Sequence, residues 1–436
     1  MRKMKDSGIE WIGEIPENWK IRRIKTLFQL RNEKSFKPLN EVNLISLYTD
    51  KGVLQHSDIE YVAGNKASNA DGYKCVYEDD IVVNIILCWM GAIGRSAYTG
   101  VTSPAYDIYK PCPGTDSRFY HYYFRTKGFN GECFQRGRGI MLMRWRTYAE
   151  DFMDIKVCFP SLSEQQQIAD FLDCKCSEID SVISKTKSSI EEYKKLKQSI
   201  ITEVVTGKVK IENGKVCGKY DTCKDSGIEW IGEIPEEWEV RRTKFIANSM
   251  HKGNGITKEQ IVQDGDSSCV RYGEIYSKYD NAFYDCMTRT NKSFYNVLQY
   301  FSFGDILFAC TGELPEEIGK NIVYLGNEKC LAGGDIIVLS HSQEPRFLNY
   351  VYNSYGQTQK SLGKTKLKVV HISATEIANI FVALPSLPEQ QKIADFLDNK
   401  CSEIDSLIAK KEQLVAELET YKKSLIYEVV TGKRSV

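Results

Sequence analysis

The chain has 436 residues, which is enough for two or three domains with substantial cores. Lys and Arg together number 58, as do Asp and Glu, so the formal net charge is zero. This balance disfavours a protein whose whole surface binds nucleic acid, but it allows local basic faces. No early apolar run follows the first residue and no stretch is long enough to span a membrane, so we expect no signal peptide and a cytoplasmic protein.

The cysteines and histidines do not predict a metal site. The fourteen cysteines include no Cys-x-x-Cys pair, and the five histidines are scattered along the chain. Free thiols in a reducing compartment are the simplest expectation. We predict neither a bound metal nor a cofactor for this chain.

The first predicted element is a head segment that occurs twice. It reads KDSGIEWIGEIPENWKIRRIK at residues 5–25 and KDSGIEWIGEIPEEWEVRRTK at residues 224–244. Trp11 and Trp230 occupy the same place in the two copies, an offset of 230 − 11 = 219. A repeat of this kind divides the chain into two tandem units. We expect the head tryptophans to pack in the cores.

Each head is followed by a body whose apolar residues form short β-like runs between turn residues. The runs lie at residues 42–48, 80–86 and 105–109 in the first body, and at 268–272, 305–309, 321–325 and 335–339 in the second. Short helices are predicted at 120–129 and 347–355. The two bodies have this loose architecture in common but no alignable sequence. That is expected if the repeated ends contact the same kind of partner twice while the two bodies contact different ones. Gene conversion at the repeats is the alternative explanation.

Each body leads into a tail, at residues 161–208 and 386–433, and the tails repeat with an offset of 389 − 164 = 225. Ser161 and Ser386, each with a Glu three residues later, have the spacing of a capping box at the start of a helix. Gly207 and Gly432 suit the position just after a helix. Between these signals lie about 45 residues, which corresponds to about 65 Å of helix.

Apolar residues of both tails recur at alternating steps of three and four, which predicts a coiled-coil seam. The predicted seam comprises Ile179, Val182, Thr186, Ser189, Tyr193, Leu196 and Ile200 in the first tail and Ile404, Leu407, Lys411, Leu414, Leu418, Tyr421 and Leu425 in the second. We predict that the helices pair with each other rather than lying separately on the surface. Antiparallel pairing is favoured, because a parallel pair would need a nearly taut linker along the helix length.

These elements predict an α+β protein with two β-rich α/β domains separated by two long helices. The expected boundaries are 1–160 for the first domain, 161–208 for the first helix, 209–223 for a linker, 224–385 for the second domain and 386–436 for the second helix. We expect the helices to form an antiparallel coiled coil, with the domains at opposite ends and related by a pseudo-two-fold axis.

Basic residues cluster shortly before each tail. The first cluster comprises Arg136, Arg138, Arg144 and Arg146, interleaved with Met141, Met143 and Trp145, and the second comprises Lys360, Lys364, Lys366 and Lys368. Such side chains contact phosphates without regard to sequence, whereas base reading needs side chains aimed into a groove. A solvated charged face is the alternative for either cluster alone, but their matched positions favour DNA binding.

Catalytic motifs are missing from the sequence. Gly363-Lys364-Thr365 lacks the spacing of a P-loop, and there is no G-x-G-x-x-G after a strand, no H-E-x-x-H and no G-x-S-x-G. We therefore predict that the chain is not an enzyme by itself.

Several of these segments together resemble a known family. They are the head DSGIEWIGEIPE, MGAIG at 90–94, SPAY at 103–106, GDILF at 304–308, and the tail with EQQ, IADFLD and EID. Over nearly the whole chain they are similar to the specificity subunit of type I restriction–modification enzymes. The second body departs from the pattern, because it lacks the MGAIG and SPAY segments, so contacts cannot be transferred from one body to the other.

The resemblance implies two target-recognition domains, each of which reads one half of a bipartite, asymmetric DNA site, and an antiparallel coiled coil that fixes the gap between the halves. It implies a non-catalytic subunit that binds double-stranded DNA and two methyltransferase subunits, which methylate adenine from S-adenosylmethionine. Restriction subunits that use ATP are further partners. The repeated polar tail residues become candidates for docking these partners: Glu164, Gln165, Gln166, Asp170, Glu389, Gln390, Gln391 and Asp395.

Helix capping and solvation are the alternative roles for those eight residues. Two other functions also stay open at this point. One is an autonomous DNA-binding regulator without enzyme partners, and the other is a single-chain methyltransferase or nuclease, which the missing motifs disfavour.

Overall fold

The computed structural model describes residues 2–49, 51–58, 72–140, 145–314, 317–364 and 370–436. Its contacts divide the chain into two compact units. Unit 1 consists of Met1–Lys187 together with Glu412–Val436, and unit 2 consists of Ser188–Lys411. The division falls inside both long helices, so each helix contributes residues to both units.

Unit 1 contains a mixed body of short strands and helices. Its described strands are β1 (Met4–Asp6), β2 (Glu14–Pro16), β3 (Lys20–Arg23), β4 (Phe28–Arg31), β5 (Lys34–Ser35), β6 (Ile45–Tyr48), β7 (Gly52–Gln55), β8 (Tyr73–Val76), β9 (Ile81–Asn84), β10 (Ile93–Arg95), β11 (Gly100–Thr102), β12 (Tyr106–Pro111) and β13 (Lys156–Phe159). Its helices are α1 (Ser117–Phe124), α2 (Lys127–Arg136), α3 (Ala149–Met153) and the first part of α4 (Leu162–Val205). An antiparallel sheet in the order β10-β9-β12-β4 forms the centre of the body.

Unit 2 has the same kinds of element in a different sheet. Its described strands are β14 (Lys210–Glu212), β15 (Lys215–Gly218), β16 (Cys223–Asp225), β17 (Glu233–Pro235), β18 (Glu239–Arg242), β19 (Ala247–Lys252), β20 (Ser267–Val270), β21 (Ala282–Phe283), β22 (Thr288–Thr290), β23 (Tyr300–Phe301), β24 (Ile306–Ala309), β25 (Thr311–Gly312), β26 (Asn321–Tyr324), β27 (Cys330–Ala332), β28 (Ile336–His341), β29 (Val370–His371) and β30 (Phe381–Leu384). Its helices are α5 (Tyr272–Ser277), α6 (Pro345–Tyr352), α7 (Tyr355–Ser361), α8 (Ala374–Ala378) and the first part of α9 (Leu387–Val430). The last part of α4 also belongs to unit 2, and the last part of α9 belongs to unit 1. The main sheet has the order β19-β28-β24-β26-β21, with β21 parallel to β26.

The predicted helix at 120–129 is divided into two in the structure. Asp116 caps α1, because its side chain accepts the backbone N–H of Arg118 at 2.8 Å. Thr126 then caps α2 by accepting the N–H of Phe129. A cap residue has extended backbone angles and so ends the preceding helix. The second predicted helix, at 347–355, lies mostly on α6, and its last residue begins α7, whose N-cap residue Ser354 makes no side-chain hydrogen bond.

The stretch predicted as a linker contains the hairpin of β14 and β15. Ile211 of this hairpin is buried in the same apolar cluster as Trp238 of the second head. Asn213 and Gly214 at its tip have positive φ, as a two-residue hairpin turn requires. The Asn213–Gly214 pair is therefore the signal in the sequence that indicates a hairpin here. The lack of apolar periodicity on either side of it led instead to the prediction of a linker.

The long helices pair antiparallel within each unit, which confirms that part of the predicted fold. In unit 1 Asp180 pairs with Lys422 and Lys187 with Glu419, so the partner number falls as the first rises. In unit 2 Lys197 pairs with Asp405 at 2.6 Å. Within each unit these pairs join the two helices in an antiparallel register.

Five of the fourteen predicted seam positions are wrong. Val182, Leu196, Leu407, Leu414 and Tyr421 are between 42% and 49% exposed. The buried row instead comprises Cys176, Ile179, Ile183, Thr186 and Ile190 on α4, and Cys401, Ile404 and Val415 on α9. Both rows satisfy alternating steps of three and four, so the periodicity alone could not distinguish them.

The repeated head and tail segments pack against each other. In unit 1 the Tyr427 hydroxyl donates to the Trp11 carbonyl at 3.1 Å, and a Cβ added to Gly432 would lie 2.3 Å from Cδ of Pro16. In unit 2 a Cβ added to Gly207 would lie 2.3 Å from Cδ of Pro235. Each head therefore packs against the end of a tail, which accounts physically for the repetition of both segments.

Candidate nucleic-acid interface

The first basic cluster lies on a loop with a closed base. Arg138 and Arg146 exchange backbone hydrogen bonds of 2.8 and 3.0 Å. The Trp145 indole stacks on Phe134 with ring centroids 5.2 Å apart and donates from Nε1 to the Phe134 carbonyl at 2.9 Å. Ile140 of this loop is 98% exposed. The described part of the loop thus combines a fixed base with one exposed apolar side chain.

The arginines of this cluster differ in how they are held. Arg138 pairs with Asp151 of α3 at 2.7 Å, a hydrogen bond that raises the pKa of the guanidinium. Arg136 lies 3.7 Å from Glu132 on the same helix, and Arg146 is exposed. Arg144 lies outside the described residues. A phosphate could replace the partly buried carboxylate partner of Arg138.

The second cluster is divided between an anchored lysine and a buried one. The Lys364 ammonium pairs with Glu376 of α8 and donates to the His371 carbonyl at 2.6 Å. Lys360 is 2% exposed, and its ammonium donates to the Gly319 carbonyl at 2.6 Å and to Oδ1 of Asn321 at 2.8 Å. Burial holds the pKa of Lys360 well below its usual value. Lys360 has no surface to offer a phosphate, so its predicted role in DNA binding does not fit its position; Lys366 and Lys368 lie outside the described residues.

Arg138 and Lys364 are held in equivalent ways. Asp151 and Glu376 are separated by the tail offset of 225, and each lies on the short helix that precedes the last strand of its body. In both units one basic loop is therefore attached to one short acidic helix. The two clusters occupy the same place in two different bodies.

Two of the predicted docking residues are buried inside the units. Gln165 accepts the backbone N–H of Asp116 at 2.9 Å and donates to the Pro160 carbonyl at 3.0 Å. Gln390 accepts the N–H of Glu344 at 3.1 Å and donates to the Pro385 carbonyl at 2.9 Å. Each glutamine joins the start of a long helix to the start of a body helix. Neither can reach a partner subunit.

The other predicted docking residues are mostly engaged within their own unit. Glu164 pairs with Arg2, and Glu389 accepts the Tyr220 hydroxyl, so both carboxylates attach the segment that leads into a head. Asp170 pairs with Arg118 at 2.6 Å. The remaining three are Asp395, which pairs with Arg346; Gln391, which is exposed and donates to Asp395; and Gln166, which is exposed.

The sequence analysis did not identify the residues on the body helices that make these contacts with the long helices. Arg118 of α1 meets Asp116 and Asp170, and Arg346 of α6 meets Glu344, Asp395 and Asp398. Both arginines are followed four residues later by a tyrosine, Tyr122 or Tyr350, that donates to the long helix. The segments DSRFYHY and EPRFLNY carry this pattern at an offset of 346 − 118 = 228, so the bodies do have a short alignable stretch.

The structure gives two further observations about the described part of the chain. No group of three His, Cys, Asp or Glu residues there is arranged to hold a metal ion. None of its helices combines the length and the apolarity that a membrane span requires.

A family model described as the type I restriction modification DNA specificity domain matches residues 16–192 and again residues 235–419. These matches cover well over half of the sequence, so the chain belongs to the family of type I restriction–modification DNA specificity subunits and carries its domain twice. It is a non-catalytic DNA-recognition subunit, and the catalytic activities of such systems lie in partner subunits.

Named relatives agree with this assignment. The chain is 24% identical over 438 residues to the type I restriction enzyme MjaVIII specificity subunit of Methanocaldococcus jannaschii, covering 96% of this chain and 93% of that one. It is 19% identical over 320 residues to the EcoDI specificity subunit of Escherichia coli, covering 71% and 69%.

One similar solved chain comes from a structure that describes the complex assembly and conformational transition of a type I R-M system. It has a TM-score of 0.71 at 14% identity, covering 96% of this chain and 99% of that one. The HsdS subunit from Thermoanaerobacter tengcongensis has a TM-score of 0.53 at 14% identity, covering 96% and 98%. Both likenesses concern the fold.

Proposed function

We propose that each unit of this subunit reads one half of a bipartite, asymmetric DNA site, and that the long helices set the spacing between the halves. The observation that carries the proposal is the equivalent attachment of a basic loop in two different bodies, by Arg138 to Asp151 and by Lys364 to Glu376. The two basic loops are attached in the same way, but the bodies that carry them differ in sequence. This arrangement suits two DNA-recognition units that approach the duplex in the same way but recognise different bases.

The residues that we propose for phosphate contact are at least partly exposed or are paired with a carboxylate that is. They are Arg136, Arg138, Arg146 and Lys364, and Arg144, Lys366 and Lys368 stay in the set as predictions from the sequence. Lys360 is left out because it is buried. Since cellular DNA is the target, the protein acts in the cytoplasm.

Two methyltransferase subunits are the proposed partners, with restriction subunits as further ones. Their docking sites are two apolar flanks: Val182 and Tyr421 in unit 1, and Leu196 and Leu407 in unit 2. All four are exposed by at least 42% although they lie beside the buried row of the helices. The tail offset of 225 relates Val182 to Leu407 and Leu196 to Tyr421, so the flanks are equivalent. Two equivalent patches suit two identical partners, and burying such side chains contributes about 1.5–3 kcal/mol each.

Charged substitutions on one flank test the docking sites. We expect Val182→Glu with Tyr421→Glu to release one of two bound methyltransferase subunits in native mass spectrometry, and the same changes at Leu196 and Leu407 to release the other. Phe36→Glu, at a body residue that is 77% exposed, is the matched control. If the variant with all four flank changes kept both partners, the docking sites would lie elsewhere.

The recognition function is tested by single-molecule sequencing of methylated adenines in cells with and without this gene. The proposal expects a bipartite methylation motif that disappears on deletion. Unchanged methylation would favour an autonomous DNA-binding regulator instead.

A further inference from the structure

Both units contain a two-stranded ribbon that ends in an exposed pair of cations. The ribbon pairs β3 with β13 in unit 1 and β18 with β30 in unit 2, in the same register. A 3-10 turn follows the first strand and places Arg23 and Lys25, or Arg242 and Lys244, at the surface. The head offset of 219 relates the two pairs.

One residue distinguishes the surroundings of these pairs. In unit 1 Asp154 accepts from Lys25 at 3.0 Å and also pairs with Arg23. The hydrogen bond from Lys25 and the pairing with Arg23 lower the pKa of the Asp154 carboxyl. Two cations and one carboxylate leave one net positive charge at this place.

Unit 2 has Asn379 at the position equivalent to Asp154, and its amide donates to the Thr375 carbonyl at 2.9 Å. The Arg242 guanidinium lies over the Phe381 ring, 4.9 Å from its centroid, and the Lys244 ammonium lies 5.0 Å from the centroid of Phe245, which is 69% exposed. In the part of unit 2 that the structure describes, neither cation has a carboxylate partner. Two positive charges therefore stay uncompensated.

The cation pairs lie beside the basic loops. The turn with Lys25 packs on α3, and the turn with Lys244 packs on α8. These are the short helices whose Asp151 and Glu376 hold Arg138 and Lys364. In each unit the paired basic residue and the turn of the ribbon thus contact the same short helix. A DNA phosphate backbone that meets one of them can therefore meet the other.

We propose that the Arg–Lys pair of each ribbon is a second contact to the phosphates of the DNA duplex, and that the residue at position 154 or 379 sets how much positive charge the pair offers. The inference rests on the proposed function, since it assumes that the basic loops face DNA. It assigns unit 2 the larger sequence-independent contribution from this pair. Neighbouring positions also differ, because β3 has Lys20 where β18 has Glu239, which pairs with Arg241. The difference in charge therefore refers only to two matched sets of residues: Arg23, Lys25 and Asp154 in unit 1, and Arg242, Lys244 and Asn379 in unit 2.

Exchanging the distinguishing residue between the units tests the proposal. Asp154 and Asn379 both end a short helix with αR backbone angles, φ −89° and ψ −5° against φ −93° and ψ −2°, so each position accepts the other residue. The affinity of the full chain, with its methyltransferase subunits, for a random-sequence duplex is measured by fluorescence anisotropy between about 50 and 200 mM salt. The slope of log Kd against log salt counts phosphate contacts at about 0.9 each.

We expect Asn379→Asp to reduce the slope by about 0.9 to 1.8, which corresponds to one or two contacts, and Asp154→Asn to increase it. Arg242→Gln with Lys244→Gln should reduce the slope as Asn379→Asp does, which guards against a folding defect in either single variant. Asp221→Asn makes the same change in net charge as Asp154→Asn, at an exposed position between β15 and β16, and should leave the slope unchanged.

The outcomes separate the inference from the function beneath it. If the wild type binds with a steep slope and both exchanges behave like Asp221→Asn, the ribbon contact is refuted while DNA recognition stands. If the wild type binds the duplex with no salt dependence, or does not bind it, the proposed function fails and the ribbon contact fails with it.

Discussion

At the scale of single residues, a basic side chain before a tail has two different uses. Arg138 and Lys364 pair with carboxylates near the surface, whereas Lys360 is buried among Gly319, Asn321 and the Phe308 ring. Asn321 in turn donates to Oδ1 of Asn349 at 2.7 Å, so Lys360 belongs to a buried polar network. Buried networks of this kind fix a local structure because every unpaired member is costly. Lys360 therefore positions the turn at Gly319 rather than contacting DNA.

The burial of Lys360 makes a prediction about pH. Its folded-state pKa is lowered by desolvation, so between that value and the ordinary pKa of about 10.4 the unfolded chain binds more protons. The free energy of unfolding attributable to this residue therefore rises with pH in that window. In urea unfolding followed from neutral pH to about pH 10, we expect the wild type to gain stability relative to Lys360→Met. The exposed-site variant Lys410→Met is the control, and parallel curves for wild type and Lys360→Met would contradict the burial.

At the scale of elements, the helices were predictable and their faces were not. The tail signals predicted helices at 161–208 and 386–436, and the structure has them at Leu162–Val205 and Leu387–Val430. The predicted seam includes Leu407 and Leu414 because both the predicted row and the buried row contain apolar residues. Only contact with the partner helix distinguishes the row that becomes buried. The prediction that Gln165 and Gln390 dock partner subunits differs from the structure for a similar reason. A repeated polar residue can either contact a partner protein or form a buried hydrogen bond within its own unit, as these two do.

The contact between head and tail makes a prediction at the same scale. Gly432 has φ +73°, and a Cβ there would lie 2.3 Å from Cδ of Pro16, whereas Gly8 has φ +67° with nothing within 4 Å. Both Gly→Ala variants carry backbone strain of about 1 kcal/mol or more, but only Gly432→Ala forces the Pro16 ring aside. We expect Gly432→Ala to lower the free energy of unfolding by about 1–3 kcal/mol more than Gly8→Ala does.

Urea unfolding of the two variants, monitored by tryptophan fluorescence, measures this difference. Gly207→Ala, which would meet Pro235, should repeat the effect in unit 2. Equal losses for Gly8→Ala and Gly432→Ala would mean that the head does not press on the tail.

At the scale of the whole molecule, each unit has its own apolar core. The cluster with Trp19, Phe119 and Phe152 contains residues of unit 1, and the cluster with Trp238, Phe347 and Tyr352 contains residues of unit 2. The sequence predicted two unlike bodies, but it could not give the base contacts, because these depend on loop geometry. Separate cores make one body replaceable without disturbing the other.

Replacing body residues 26–160 by those of a relative should change one half of the methylation motif and leave the other half unchanged. The repeated ends, which hold the unit together, stay in place in such a chimera. Single-molecule sequencing of methylated adenines measures both halves in one experiment. A change in both halves would refute independent reading by the two units.

The chain order of the units has a consequence for synthesis. Unit 2 is one continuous stretch, whereas unit 1 needs Glu412–Val436, including the Lys433 ammonium that donates to the Ile12 carbonyl at 2.7 Å. On the ribosome, domains generally fold as they emerge, starting from the N-terminus. Here the N-terminal body must wait until residues 412–436 have been translated, so the unit that is made later completes its structure first.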